Sequence, residues 1–322
     1  MSNNKSFTLP LWLDKIIYYT FGAIYEPRPT DVVYNPDKPY EFVQLYLGTY
    51  FPRSCAEAYC IASTLLSNTN YRNELINREE INILDFCCGT GGEIVGLVLA
   101  LKENLPELKR VYVDAYDANP DAIRFLYHLV DNIEKTNELG LDLVVNPQGI
   151  YIASEMEIDD VVNLTNVQYE FILSSKAINE FVQHKTFDNN AYEIIATKFF
   201  PLLSQKGVFI MSDVTTQIDN STLYYPQMMN DGLNKFIRKN HQFKTIVPPS
   251  CYLHEGYCLG CYMQDAFYVS HKKKDRDVSK IAYRVICRSD FAQIVMSNIP
   301  STLCRADNPT ADKQAPYNYG TR

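Results

Sequence analysis

The sequence predicts an α/β fold, a parallel sheet covered by helices on both faces, carrying a helical N-terminal extension and a cysteine-containing C-terminal insertion. Two observations predict it. From Ile81 onward, short β-branched runs alternate with longer amphipathic runs, and that alternation implies parallel strands joined by helical crossovers. The first such run ends in a glycine-rich turn that opens a helix, in the segment INILDFCCGTGGE from Ile81 to Glu93.

The elements follow in order. Residues 1–80 form the expected extension. Leu9 to Tyr19 is an apolar amphipathic start, two proline-rich loops follow, and Tyr40 to Leu66 reads as a helical region with a break at Pro52. The domain proper is expected over 81–300. Ile81–Asp85 is its first strand and Glu93–Glu103 its first helix. Arg110–Tyr116 and Pro120–Asn137 form the second pair, and Leu143–Ala153 holds a third strand. Glu170–Ser174 is the fourth strand, followed by a helix over Phe187–Leu203. Gly207–Ser212 is the fifth, followed by a helix over Tyr225–Lys239. Phe267–Ser270 and Ile281–Cys287 read as two further strands joined by a charged turn. Residues 301–322 are polar and read as a disordered tail.

Composition narrows the function classes. Hydrophobic residues make up 46% of 322, enough for a sizeable core. The formal net charge of −8 argues against a broad basic face for nucleic acid. The run His271-Lys272-Lys273-Lys274 reads either as a solvated hairpin tip or as a small phosphate-binding patch. No apolar stretch reaches the roughly 18 residues of a membrane span. No secretory signal opens the chain, so a cytoplasmic location is expected for its nine cysteines.

The turn Cys87-Cys88-Gly89-Thr90-Gly91-Gly92 lets backbone N–H groups approach a ligand, or serves only as a tight strand-to-helix connection. An acid, Asp85, stands just ahead of it, and Cys87 occupies the position where a dinucleotide fingerprint has its first glycine. A second acid, Asp117 in DAYDANP, comes farther on than the roughly 20 residues of that fingerprint. Asp114 competes with it, but the Asp-x-Asn-Pro step at Asp117 better suits a helix start.

The pattern D-x-x-x-G-x-G resembles motif I of class I S-adenosylmethionine-dependent methyltransferases, which have a Rossmann-like sheet. The likeness covers roughly Ile81 to Ser212. It implies S-adenosyl-L-methionine as cofactor, with Asp117 on the ribose hydroxyls and Ala118 and Asn119 beside the adenine. Asp85 would hold the turn and the methionine ammonium side, with Cys87, Gly89, Gly91 and Ser174 also at the cofactor. In the segment Ser174-Ser-Lys176-Ala-Ile-Asn179-Glu180, three residues could orient or deprotonate a substrate: Lys176, Asn179 and Glu180. Asn179 and Glu180 could equally just open a helix. The Pro-Pro-aromatic motif of amino-methylating enzymes on DNA bases is absent, and the methyl acceptor, small molecule or macromolecule, stays unspecified.

Near the end of the chain, Cys258-x-x-Cys261 has metal-ligand spacing. Cys251 with His254 or Cys287 could complete four ligands for zinc or an iron–sulfur cluster. This segment, with Tyr46 to Tyr59, also resembles the mitochondrial small-ribosomal-subunit assembly family of methyltransferase-like proteins. That resemblance implies an iron–sulfur cluster on Cys251, Cys258, Cys261 and Cys287, and a non-catalytic role in ribonucleoprotein assembly as the alternative function. The acidic balance of the chain runs against ribosome contact.

Overall fold

The computed structural model describes residues 5–27, 39–165, 167–253 and 263–299. The chain divides into two compact units, Met1–Tyr151 with Ala266–Ser279, and Ile152–Asp265 with Lys280–Arg322. The N-terminal helices share a unit with the glycine turn.

The first unit opens with β1 (Ser6–Thr8), α1 (Leu11–Lys15) and a π-helical turn over Ile16–Thr20. Next come α2 (Pro39–Leu66), α3 (Thr69–Leu75), β2 (Glu80–Phe86), α4 (Gly92–Asn104), β3 (Arg110–Asp117), α5 (Pro120–Thr136) and β4 (Asp142–Gly149). Strand β3 lies between β2 and β4, parallel to both, with Ile83 opposite Val113 and Val113 opposite Val145. Ile81, Ile83, Leu84, Val111 and Val113 are buried, as expected of a strand covered on both faces.

The expected break at Pro52 does not occur, because α2 runs through it. Proline lacks the N–H that would bond the carbonyl four residues back. That carbonyl, on Gly48, instead accepts a 2.8 Å hydrogen bond from the buried Tyr18 hydroxyl. Helix α2 also meets α4 backbone to backbone. A Cβ on Gly96 would lie 2.1 Å from the Cys55 carbonyl oxygen, and one on Gly92 would lie 2.7 Å from that of Phe51. The glycines at the start of α4 thus serve the turn on one side and the packing of α2 on the other.

The second unit contains α6 (Glu155–Leu164), β5 (Tyr169–Ser175), α7 (Ile178–His184), α8 (Ala191–Phe199), β6 (Leu203–Asp213), α9 (Tyr225–Lys239), β7 (Phe243–Val247) and α10 (Pro249–Leu253). The chain then runs through β8 (Asp265–His271), β9 (Lys274–Arg288) and α11 (Ser289–Met296). Strand β8 pairs with β1 in the first unit, parallel, with Ser6 opposite Tyr268. In the second unit β5 and β6 are parallel, while β9 is antiparallel to both β6 and β7. Helix α9 falls on its expected bounds, but β7 and α6 have no counterpart in the sequence reading. The helix expected over Phe187–Leu203 is shorter, beginning at Ala191 behind the cap of Asn190. Parallel strands alternating with helices make the fold Rossmann-like α/β. No described helix is long and apolar enough to cross a membrane. The expected tail, 301–322, lies outside the described residues.

Candidate cofactor site at the glycine turn

Strand β2 delivers Asp85 and Phe86 to the turn, and three residues there take left-handed backbone angles: Cys87 (φ 65°), Gly89 (φ 50°) and Gly91 (φ 80°). Cys87 pays for this with roughly 1–2 kcal/mol of strain, since it carries a Cβ. The turn is tied down by Gly91 N–H to the Cys88 carbonyl at 2.8 Å and Cys88 N–H to the Tyr116 carbonyl at 2.9 Å. Cys88 is fully buried, and burial pushes its thiol well up, so it fills space rather than presenting a thiolate.

Asp117 is the last residue of β3, whereas Asp114 lies three positions earlier and accepts a hydrogen bond from Asn146. Asp117 reaches the turn. Its carboxylate accepts the Gly89 N–H at 2.7 Å and the Asn119 N–H at 2.8 Å. A carboxylate has about four lone-pair sites, so acceptor capacity remains after these two bonds. Asn119 is the N-cap of α5, its side chain accepting from the N–H groups of Asp121 and Ala122. Ala118 lies between Asp117 and this cap.

Asp85 has no exposed surface, and neither carboxyl oxygen has a hydrogen-bond partner among the described residues. Burial raises its carboxyl well above the ordinary range, and the charges of Glu93 and Asp117 raise it further. Glu93, in the first turn of α4, is itself buried, and so is Thr90, whose hydroxyl also lacks a partner among the described residues. Three acids thus gather where a dinucleotide would lay its pyrophosphate. Their repulsion is relieved by a cationic ligand and aggravated by an anionic one. The partnerless carboxyl and the spare capacity of Asp117 fit S-adenosylmethionine, which bears a sulfonium and an ammonium.

Tyr46 is not among the residues expected at the turn. A Cβ on Gly89 would lie 3.4 Å from the Tyr46 ring, so this α2 side chain packs over the turn. The rings of Phe42, Tyr46 and Tyr50 follow one another along the same helix face, with Tyr46 and Tyr50 centroids 5.1 Å apart. The four-residue spacing of these aromatics was the available signal.

In the second unit, Ser174 is buried on β5 and its hydroxyl lacks a partner among the described residues. Lys176 takes a left-handed backbone (φ 54°), and its N–H bonds the Ser212 carbonyl at 2.9 Å. Asn179 and Glu180 do open a helix, α7. The Asn179 N–H bonds Asp213 at 2.8 Å, while the Asn179 side-chain oxygen is buried without a partner among the described residues. Asp213 is a second residue outside the expected set, since the expected strand ends at Ser212 while β6 runs on to Asp213. It also accepts from Val214 N–H and from the Tyr192 hydroxyl, each at 2.8 Å. Burial pushes its carboxyl up to about 7, with Glu180 adding to the rise and the hydrogen bonds opposing it.

Of the expected metal ligands, Cys258, Cys261 and the alternative His254 lie outside the described residues. Cys251 is half-buried on α10. Cys287 is fully buried on β9 between Val208 and Lys244, its thiol pushed up by burial and by nearby Asp290. No three His, Cys, Asp or Glu side chains converge as a metal site among the described residues.

No protein-family model and no curated protein sequence matches the chain. Solved structures do resemble it. One is an S-adenosylmethionine-dependent methyltransferase from Clostridium acetobutylicum, with 13% identity, a TM-score of 0.35, and coverage of 70% of this chain and 89% of that one. Another is the rRNA methyltransferase AviRa from Streptomyces viridochromogenes, with 11% identity, a TM-score of 0.37, and coverage of 76% and 88%. The plantazolicin methyltransferase BpumL, solved with SAH and a plantazolicin analogue, has 14% identity, a TM-score of 0.36, and coverage of 72% and 77%. At such low identities and scores, the fold assignment rests on the strand pairings described above.

Proposed function

We propose that the chain is an S-adenosylmethionine-dependent methyltransferase acting on an unidentified acceptor. The observation that carries this reading is the fully buried carboxyl of Asp85, without a partner among the described residues and grouped with Glu93 and Asp117 at a glycine turn. In this reading Asp117 turns its remaining acceptor capacity to the two ribose hydroxyls. Asp85 faces the cationic methionine end, and the Cys87–Gly91 backbone packs against the ligand. Asn119 shapes the adenine side through its backbone, because its side chain caps α5. When bound, the cofactor supplies an activated methyl group on sulfur, so positioning the acceptor does most of the work. Ser174 is a further residue proposed for the cofactor, and Lys176, Asn179 and Glu180 are those proposed for the acceptor.

A nicotinamide cofactor is disfavoured, because its pyrophosphate would meet three acids at the helix start. The test is transfer of labelled methyl from S-adenosylmethionine to a cell extract. The wild type should label an acceptor and Asp117→Ala should not. Labelling that persists in Asp117→Ala at wild-type rate would overturn the reading. Cofactor binding without any transfer would reduce the function to that of a cofactor-binding scaffold.

A further inference from the structure

A cavity lies in the first unit, built from parts that the glycine turn does not use. The loop after the π-helical turn, Gly22–Tyr25, and the residues Tyr18 and Lys273 line an open cavity of about 480 Å³. That volume falls in the range that takes a small organic ligand.

Its aromatic wall is held from behind by a buried polar cluster. The Tyr18 hydroxyl donates to the Gly48 carbonyl at 2.8 Å and lies 2.7 Å from His271 Nδ1. The Tyr18 ring stacks on the His271 ring at 5.5 Å, and the Tyr25 ring meets the same imidazole edge-on at 5.0 Å. Behind them Arg53 forms a two-point ion pair with Asp277, at 2.7 and 3.1 Å. A wall fixed in this way is ordered before any ligand arrives, which lowers the entropy cost of binding.

Among the residues that line the cavity, the charged one is Lys273. Asp277 is neutralised by Arg53, and burial raises the Asp14 carboxyl while it accepts the Lys272 N–H at 3.2 Å. Lys273 stands 5.9 Å from the Tyr18 ring centroid and has no carboxylate partner among the described residues. Lys272 covers the Tyr19 ring beside it at 4.9 Å. A lone ammonium over a fixed aromatic wall suits a ligand that brings both a flat ring and an oxyanion.

We propose that this cavity binds a small aromatic molecule bearing a carboxylate or phosphate, with Lys273 taking the oxyanion and Tyr18 and Tyr25 flanking the ring. The site is independent of what occupies the glycine turn. The test is an amide NMR titration of the full chain with phenyl phosphate, benzoate and, as the neutral control, benzyl alcohol. Both anions should shift the amides of Gly22, Ala23 and Ile24 to saturation, and Lys273→Gln should weaken them by roughly tenfold. Lys273 is exposed, so its replacement leaves the fold intact. No shift at those amides at millimolar anion would overturn the proposal. So would equal binding by Lys273→Gln, or benzyl alcohol binding as tightly as the anions.

Discussion

The backbone N–H of Gly89 donates to the Asp117 carboxylate at 2.7 Å, so the acid that ends β3 clasps the turn that ends β2. The same carboxylate holds the Asn119 N–H at 2.8 Å and so fixes the start of α5. One side chain therefore sets both the turn and the helix beside it, and what happens at Asp117 reaches the whole candidate site.

The packing of α2 on α4 gives a prediction with an unusual sign. Replacing a mid-helix glycine with alanine ordinarily stabilises by roughly 0.5–1 kcal/mol. At Gly96 the new Cβ would meet the Cys55 carbonyl oxygen at 2.1 Å. Gly96→Ala should therefore destabilise by about 1–3 kcal/mol. Gly149→Ala, where a Cβ meets nothing within 4 Å, should stay within roughly 0.5 kcal/mol of wild type. Urea unfolding midpoints compare the two. A Gly96→Ala protein as stable as wild type would contradict the close approach of the helices.

The continuity of α2 through Pro52 predicts a coupling. Tyr18→Phe leaves the Gly48 carbonyl bare and should cost about 1–3 kcal/mol. In a Pro52→Ala background the helix regains the missing N–H, so the same change should cost less, by roughly 0.5–1.5 kcal/mol. A double-mutant cycle in urea reads this difference. Strict additivity would mean that Tyr18 does not substitute for the lost helical bond.

Asp213 makes stability fall as pH rises. Its carboxyl titrates near 7 in the folded protein against an ordinary value of 3.8. Below 3.8 both states hold the proton, and the stabilisation from the raised value is fully present. It is lost as pH rises through 7, to a limit of about 4 kcal/mol. Asp213→Asn should flatten the thermal midpoint between pH 5 and 8 relative to wild type. Parallel profiles for the two proteins would show that Asp213 does not titrate in that window.

If the proposed function holds, Asp85 should make cofactor binding proton-linked. Burial, with Glu93 and Asp117, holds its carboxyl toward the protonated form, while a cationic ligand favours the ionised form. Binding of S-adenosylmethionine should release a proton, and affinity should rise with pH. Calorimetry in two buffers of different ionisation heat measures this directly. Proton uptake on binding would be the wrong sign for the account.

The strands and the glycine turn were legible because their signals are local. Ile81, Ile83 and Leu84 mark a buried strand, Asp117 and Asn119 mark a helix start, and the structure keeps both within a residue or two. What the sequence hid depends on distant partners. Pro52 breaks a helix by local rules and is rescued by Tyr18, far away in the chain. Strand β7 is short, Phe243–Val247, and owes its pairing to β9. Tyr46 matters because Gly89 leaves room for its ring, and Asp213 because Tyr192 and Asn179 turn toward it. That Asp85 has no partner among the described residues could not be read either, since a buried carboxyl usually finds a donor.

Whether the glycine turn holds S-adenosylmethionine is decided by calorimetry with S-adenosylhomocysteine on the full chain, beside the reduced nicotinamide dinucleotide. S-adenosylhomocysteine should bind with micromolar affinity that Asp117→Ala abolishes, and the dinucleotide should give no measurable binding. A wild-type protein that takes up the dinucleotide, or that leaves S-adenosylhomocysteine unbound, would contradict the proposed function.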